Sequence, residues 1–169
     1  MITIGNKAPS FSGEAYTSEG RRRLDISQFS GKWKILLFYV ADFSEVCPTE
    51  IAQFNGEYER FTNADAEIIG ISADNIENHE KLVNKNRALT PLKLSLMSDI
   101  NGEIAKLFDV FDDEKGKIRR SLVILDPDNV MKYFLVTDNY LGRSTDETYR
   151  ALKGLQTGKA CAVNWEPSE

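Results

Sequence analysis

The chain reads as an α/β protein with a central mixed β-sheet flanked by helices. Two apolar runs of strand length carry that reading. Lys34-Ile-Leu-Leu-Phe-Tyr-Val40 and Glu67-Ile-Ile-Gly-Ile-Ser-Ala73 lack the polar alternation of a half-exposed strand, so each is expected to be buried on both faces. The third observation is the helical spacing that follows each run, which gives strand, helix, strand, helix in sequence order.

The first thirty residues are punctuated by Pro9, Gly13, Gly20 and Gly31 and read as short strands and turns. The run 34–40 is the expected central strand. Beyond Asp42 to Val46, Ile51, Phe54, Tyr58 and Phe61 recur on one helical face while Glu50, Glu57 and Glu59 face elsewhere. Cys47 therefore falls where the central strand turns into a helix, and Pro48 suits the first helical turn, where its missing N–H costs nothing. A second helix is expected over about 75–88, with Ile76, His79 and Val83 along one side. Pro91 and the polar residues around Ser98-Asp99 interrupt the alternation, and a shorter helix is expected near Gly102 to Phe108. Two strands, Ile118 to Leu125 and Val130 to Thr137, flank Asp126-Pro-Asp-Asn129 as a hairpin. Ser144-Thr-Asp-Glu147 has the form of a capping box opening a last helix that ends near Gly158. The tail from Lys159 to Glu169 carries Cys161 and Trp165 without clear periodicity. Thioredoxin-like order is the leading topology for this series of elements.

A length of 169 residues suits one compact domain, and no repeat, low-complexity tract or linker divides it. The net charge of -5, from 26 acidic against 21 basic residues, argues against nucleic acid as a partner. Arg21-Arg22-Arg23, beside Glu19 and Asp25, reads as a solvated face. No run approaches the roughly 20 apolar residues of a membrane span, and the N-terminus lacks the charged-then-apolar layout of a secretion signal. A cytoplasmic protein with no membrane partner is expected.

Both cysteines are then expected as reduced thiols, since that compartment keeps structural disulfides open. Cys47 and Cys161 form no Cys-x-x-Cys motif, and with His79 as the single histidine no metal site is expected. A sulfur at the first turn of a helix faces unpaired backbone N–H groups and the positive end of the helix dipole, surroundings that favour a thiolate. A small core-filling cysteine fits the same junction. Cys161, in an irregular segment, suits either a thiol that swings to another sulfur, on its own chain or a partner's, or a bystander. His79 reads as a packed or surface residue and not as a catalytic base. Trp33 and Trp165 read as aromatics that bury area, Trp165 also as a candidate for a subunit contact.

Phe38-Tyr-Val-Ala-Asp-Phe-Ser-Glu-Val-Cys-Pro-Thr-Glu50 closely resembles the peroxidatic segment of typical two-cysteine peroxiredoxins. The likeness continues through Arg120 ahead of Val123-Ile-Leu-Asp-Pro127, Gly142-Arg-Ser-Thr-Asp-Glu147 and Cys161-Ala-Val-Asn-Trp165, and is nearest to the C subunit of bacterial alkyl hydroperoxide reductase. It implies a thioredoxin-like domain over residues 1–158 followed by a tail, 159–169, that carries the resolving cysteine. It also implies a thiol-dependent peroxidase acting on hydrogen peroxide and organic hydroperoxides without a cofactor. On that likeness Cys47 is the peroxidatic cysteine, Cys161 of a partner subunit the resolving one, and Arg120 the cation beside the reacting sulfur. Ser44 offers a hydroxyl to the peroxide, and Glu50 and Arg143 belong to the supporting polar shell. The implied partners are a dithiol reductase, either a flavoprotein disulfide reductase or a thioredoxin-like protein, and further copies of the chain, as a homodimer assembling into a decameric ring.

The chain departs from the family pattern in three places. Val40 stands where proline is usual, Ser44 where threonine is usual, and Ala162 where a proline usually follows the resolving cysteine. Serine keeps the hydroxyl but loses the methyl that restrains rotation, so the pocket edge is less determined than its chemistry. The sequence also lacks the Gly-Gly-Leu-Gly insertion and terminal Tyr-Phe pair tied to easy inactivation, which implies resistance to excess peroxide. The alternative reading is a redox-regulated chaperone or peroxide-sensing protein in which Val40 and Ser44 have weakened catalysis.

Overall fold

The computed structural model describes residues 2–168. Nine strands and five α-helices follow in the order β1 (Ser12–Thr17), β2 (Gly20–Asp25), β3 (Trp33–Phe38), α1 (Cys47–Gly56), α2 (Tyr58–Thr62), β4 (Ala66–Ser72), α3 (Ile76–Lys85), β5 (Ser95–Ser98), α4 (Glu103–Leu107), β6 (Phe111–Asp112), β7 (Lys117–Ile118), β8 (Ser121–Leu125), β9 (Met131–Val136) and α5 (Thr145–Thr157). Seven strands form one sheet in the order β2-β1-β5-β4-β3-β8-β9, while β6 and β7 pair separately. β3, β4 and β5 run parallel, and β1, β8 and β9 join antiparallel to their neighbours. The sheet is mixed, as expected.

The apolar runs owe their continuity to two cores. Ile35 and Leu37 of β3 face one cluster with Ile51 and Phe54 of α1, Phe61 of α2, Leu82 and Val83 of α3 and Leu152 of α5. Leu36 and Phe38 face the other, with Ile69, Ile71, Ile104, Phe108 and Val123. A strand between two layers can carry no polar alternation.

Three boundaries differ from the sequence pattern. The spacing through Ile51, Phe54, Tyr58 and Phe61 is shared between two helices, because the backbone leaves the helix at Glu57 (φ -100, ψ 11) and α2 resumes on the same apolar face. The helix expected over 75–88 stops at Lys85, where Asn86 turns extended (φ -115, ψ 107) and its side chain accepts from Ala88 N–H to start a 3-10 turn. The strand expected over 118–125 is broken at Arg119 and Arg120 between β7 and β8, which sends the Arg120 side chain into the core, where it is 1 % exposed. The 126–129 hairpin forms as expected, with Asp126 Oδ1 accepting from the Asp128 and Val130 N–H groups. At α5, Ser144 Oγ accepts from Glu147 N–H at 3.1 Å, but the Glu147 carboxylate holds Arg150 at 2.7 and 2.9 Å and the reciprocal half of the box is not made. Gly158, at φ 63, ends the helix.

Candidate active site

The site is built where β3 delivers the chain to α1. Tyr39 N–H still bonds Ile71 O at 3.0 Å, which extends the strand pairing, and residues 40–46 then turn over the end of the sheet. Val46 caps α1 with no side-chain cap bond, and Pro48 lies in the first turn. In place of a cap on Val46, Ser44 Oγ accepts the Cys47 N–H at 3.1 Å. Its hydroxyl proton is thereby left for another acceptor. Val40 lies half-buried against the helical-face core.

Cys47 is fully buried, and Arg120 Nη2 donates to its Sγ at 3.2 Å and to Asn139 O at 3.0 Å. Arg120 Nη1 pairs with Glu50 Oε1, one turn along α1 from the sulfur. Arg143 closes the cluster from the other side: its N–H and Nε both donate to Glu50 Oε2 at 2.7 Å, and Nη2 donates to Glu50 Oε1 at 3.0 Å. Arg143 Nη1 also donates to Phe38 O at 2.7 Å and to Ser121 O, which ties it to the ends of β3 and β8. Burial pushes the Arg143 guanidinium down from its ordinary value, and the Glu50 carboxylate opposes that push.

Two guanidinium groups and one carboxylate leave this buried cluster with one positive charge in excess. A thiolate at Cys47 would bring it to neutrality, and uncompensated charge in such a place is costly. Arg120 Nε–H, which has no protein partner, remains as an unused donor on the guanidinium that touches the sulfur.

The structure brings Cys47, Ser44, Arg120, Glu50 and Arg143 together and leaves Cys161 apart. Cys161 is half-buried on the C-terminal half of α5, with Sγ 3.6 Å from Thr157 Oγ1 and 3.7 Å from Gly154 O. Both sulfurs are free thiols. Ten residues of α5 separate Ser144, next to the Cys47 cluster, from Gly154, roughly 15 Å at about 1.5 Å of rise per residue. Bridged cysteines need Cα atoms within about 7 Å.

One network beside the site was not foreseen. Tyr39 OH donates to Asp42 Oδ1 at 2.6 Å, and His79 Nδ1 lies 2.7 Å from Asp42 Oδ2, all three side chains being buried. Asp42 N–H in turn bonds Asp74 Oδ2 at 2.9 Å. Burial, and then the Asp42 carboxylate, hold the Tyr39 hydroxyl well above its ordinary pKa. His79 is thus a packed residue, as its apolar helical face suggested, and its partner Asp42 anchors the turn that leads to Cys47. Among the described residues, no group of three His, Cys, Asp or Glu side chains is arranged to hold a metal ion. No described helix is long and apolar enough to cross a membrane.

A thiol at the first turn of a helix, touched by a buried guanidinium beyond the end of an interior strand of a thioredoxin-like sheet, has the surroundings of a thiol-based redox protein. Comparison with known proteins places it more closely. Residues 4–134 match the model of the AhpC/TSA family. The chain is 37% identical to the chloroplastic 2-Cys peroxiredoxin BAS1 of Hordeum vulgare, over 98% of this chain and 83% of that one. The solved structure of Mycobacterium tuberculosis AhpC superposes with a TM-score of 0.88 at 30% identity, over 98% of this chain and 99% of that one. That of Enterococcus faecalis AhpC gives 0.90 at 29%, over 96% and 100%. The chain belongs to the AhpC/TSA family and is a peroxiredoxin, a thiol-dependent peroxidase.

Proposed function

We propose that Cys47 is the nucleophile of this peroxidase and Cys161 its resolving thiol, with hydrogen peroxide and organic hydroperoxides as substrates. The Cys47 thiolate attacks one oxygen of the O–O bond, which breaks to leave Cys47 as a sulfenic acid and release an alkoxide or hydroxide that takes up a proton. The observation that carries this reading is the 3.2 Å contact of Arg120 Nη2 with Cys47 Sγ inside a cluster one positive charge in excess. Arg120, with its unused Nε–H, and Ser44, with its free hydroxyl proton, are the donors available to the leaving oxygen as its charge grows. Glu50 and Arg143 keep Arg120 in place.

The Cys161 thiol then attacks the sulfenic sulfur. The S–S bond forms, the S–O bond breaks, and the oxygen leaves as water with the thiol's proton. Full burial of Cys47 requires the first turn of α1 to open for this step. The separation of the two sulfurs along α5 favours Cys161 of a second copy. Strand β9 supports such a copy: it is an edge of the sheet with Phe134 and Val136 exposed at 42% and 45%. The opposite edge, β2, carries Arg21, Arg22 and Arg23 and discourages pairing. A homodimer paired edge to edge, able to assemble further into a ring of ten, is the assembly we infer. A dithiol reductase, flavoprotein or thioredoxin-like, would reopen the disulfide in the cytoplasm.

The test follows peroxide loss with a dithiol reductant for wild type, Cys47→Ser and Cys161→Ser, with non-reducing gels alongside. Rapid loss abolished by Cys47→Ser, and a dimer-sized oxidised band lost in Cys161→Ser, are expected. Equal slow consumption by wild type and Cys47→Ser contradicts the nucleophile, and a monomeric oxidised band contradicts the intersubunit bridge.

A further inference from the structure

Gly154 stands in the interior of α5, where glycine is among the poorest helix formers. Its position explains the choice. A Cβ placed there would lie 3.4 Å from Trp165 Cζ3 and 3.6 Å from Cys161 Sγ, so indole and thiol both rest on bare helix backbone. One turn earlier, Arg150 Nη1 donates to Trp165 O at 3.1 Å while its Nε and Nη2 hold Glu147. The segment itself folds into a turn, Trp165 N–H bonding Ala162 O at 3.0 Å with Asn164 at φ 62. Against these contacts the sulfur makes only long ones, 3.6 to 3.7 Å from Thr157 Oγ1, Lys159 O and Gly154 O.

The thiol in this pose faces its own helix, far along α5 from Cys47. We propose that Gly154 and Arg150 form a seat that parks Cys161, so that lifting of the Cys161–Trp165 segment from α5 limits how fast the Cys47 sulfenic acid closes to the disulfide. This rests on the Cys47–Cys161 chemistry proposed above and names two positioning residues for it. The seat acts as a brake: weakening it speeds closure and shortens the life of the sulfenic acid, the form open to further oxidation. It also discriminates by size. An alanine methyl at 3.4 Å from the indole makes an ordinary contact and keeps the seat, whereas a leucine displaces Trp165.

Reduced full-length wild type, Gly154→Ala, Gly154→Leu and Arg150→Gln are each mixed with one equivalent of hydrogen peroxide, quenched and alkylated along a time course. Peptide mass spectrometry follows the Cys47 sulfenic acid and the Cys47–Cys161 disulfide in the same samples, so closure is timed from the sulfenic acid. Gly154→Leu is expected to close roughly threefold or more faster and Arg150→Gln about twofold faster, the scale of one lost hydrogen bond with its packing. Gly154→Ala is expected at the wild-type rate. Alanine and leucine both relieve the helix of its glycine, so equal rates for the two would overturn the seat, as would slower closure in Gly154→Leu or Arg150→Gln. A wild type that forms no Cys47–Cys161 disulfide overturns the parent reading together with the seat. A wild type that forms it, with every variant closing at the same rate, overturns the seat alone.

Discussion

Cys47 is fully buried within a network of short, charge-assisted bonds that joins α1 to the ends of β3 and β8, whereas Cys161 is half-buried in an irregular segment and its sulfur's polar partners are neutral oxygens at 3.6 Å or more. The difference matches the two chemical tasks proposed for these thiols. A nucleophile gains from fixed surroundings in which donors already face the charge that will develop. A resolving thiol has to travel, and the sulfur's own long contacts add little to the hold that Gly154 and Arg150 keep on its segment.

The contrast can be broken most forcefully at Glu50. Glu50→Ala leaves Arg120 and Arg143 buried without their shared carboxylate, and loss of one partner from such a cluster costs about 3–5 kcal/mol. A fall in melting temperature of roughly 10 °C is expected by calorimetry. Arg120→Ala comes next: stopped-flow kinetics should show kcat/KM for hydrogen peroxide reduced about 10²–10³-fold, the usual cost of a lost donor to developing charge. An unchanged kcat/KM would mean that the guanidinium serves packing only.

Ser44 sharpens the comparison on a finer scale. Ser44→Ala removes the acceptor of the Cys47 N–H and the free hydroxyl, and should lower kcat/KM about fivefold, while Ser44→Thr keeps both and restores the rate. The smallest effect lies away from both sulfurs. Burial raises the Glu67 carboxyl above its ordinary value, with Tyr58 OH donating to Oε1 at 2.7 Å in opposition. The folded chain therefore binds the proton more tightly than the unfolded one, and Glu67's contribution to stability is present at low pH and lost as pH rises through its folded pKa. Melting temperature should fall slightly as pH rises through the window just above the ordinary carboxylate range, and Glu67→Gln should flatten that slope.

Much of the fold was legible because its signals are local. The stretch over 35–39 is apolar throughout because alternate residues feed two cores, and the hairpin at 126–129 is made by its own Asp126. The breaks were not legible. The apolar spacing from Ile51 to Phe61 passes unbroken through the gap at Glu57, and nothing local marks Arg119-Arg120 as the end of a strand. The site divides likewise. Cys47 at a strand-helix junction followed from spacing, and Ser44, Arg120, Glu50 and Arg143 from the family likeness. The convergence of both arginines on one carboxylate depends on residues 70 and 93 positions apart. Gly154 carried no signal, since a helix glycine declares its purpose only when its neighbour in space is known.

The central claim is that Cys47 attacks the peroxide, and one labelling measurement tests it most directly. In Cys161→Ser, where the sulfenic acid cannot be closed by its usual partner, one equivalent of hydrogen peroxide followed by dimedone should place one adduct per chain on the peptide that contains Cys47, read by mass spectrometry. Peroxide consumed by this variant and by Cys47→Ser at the same rate, with no adduct on Cys47, would contradict the account.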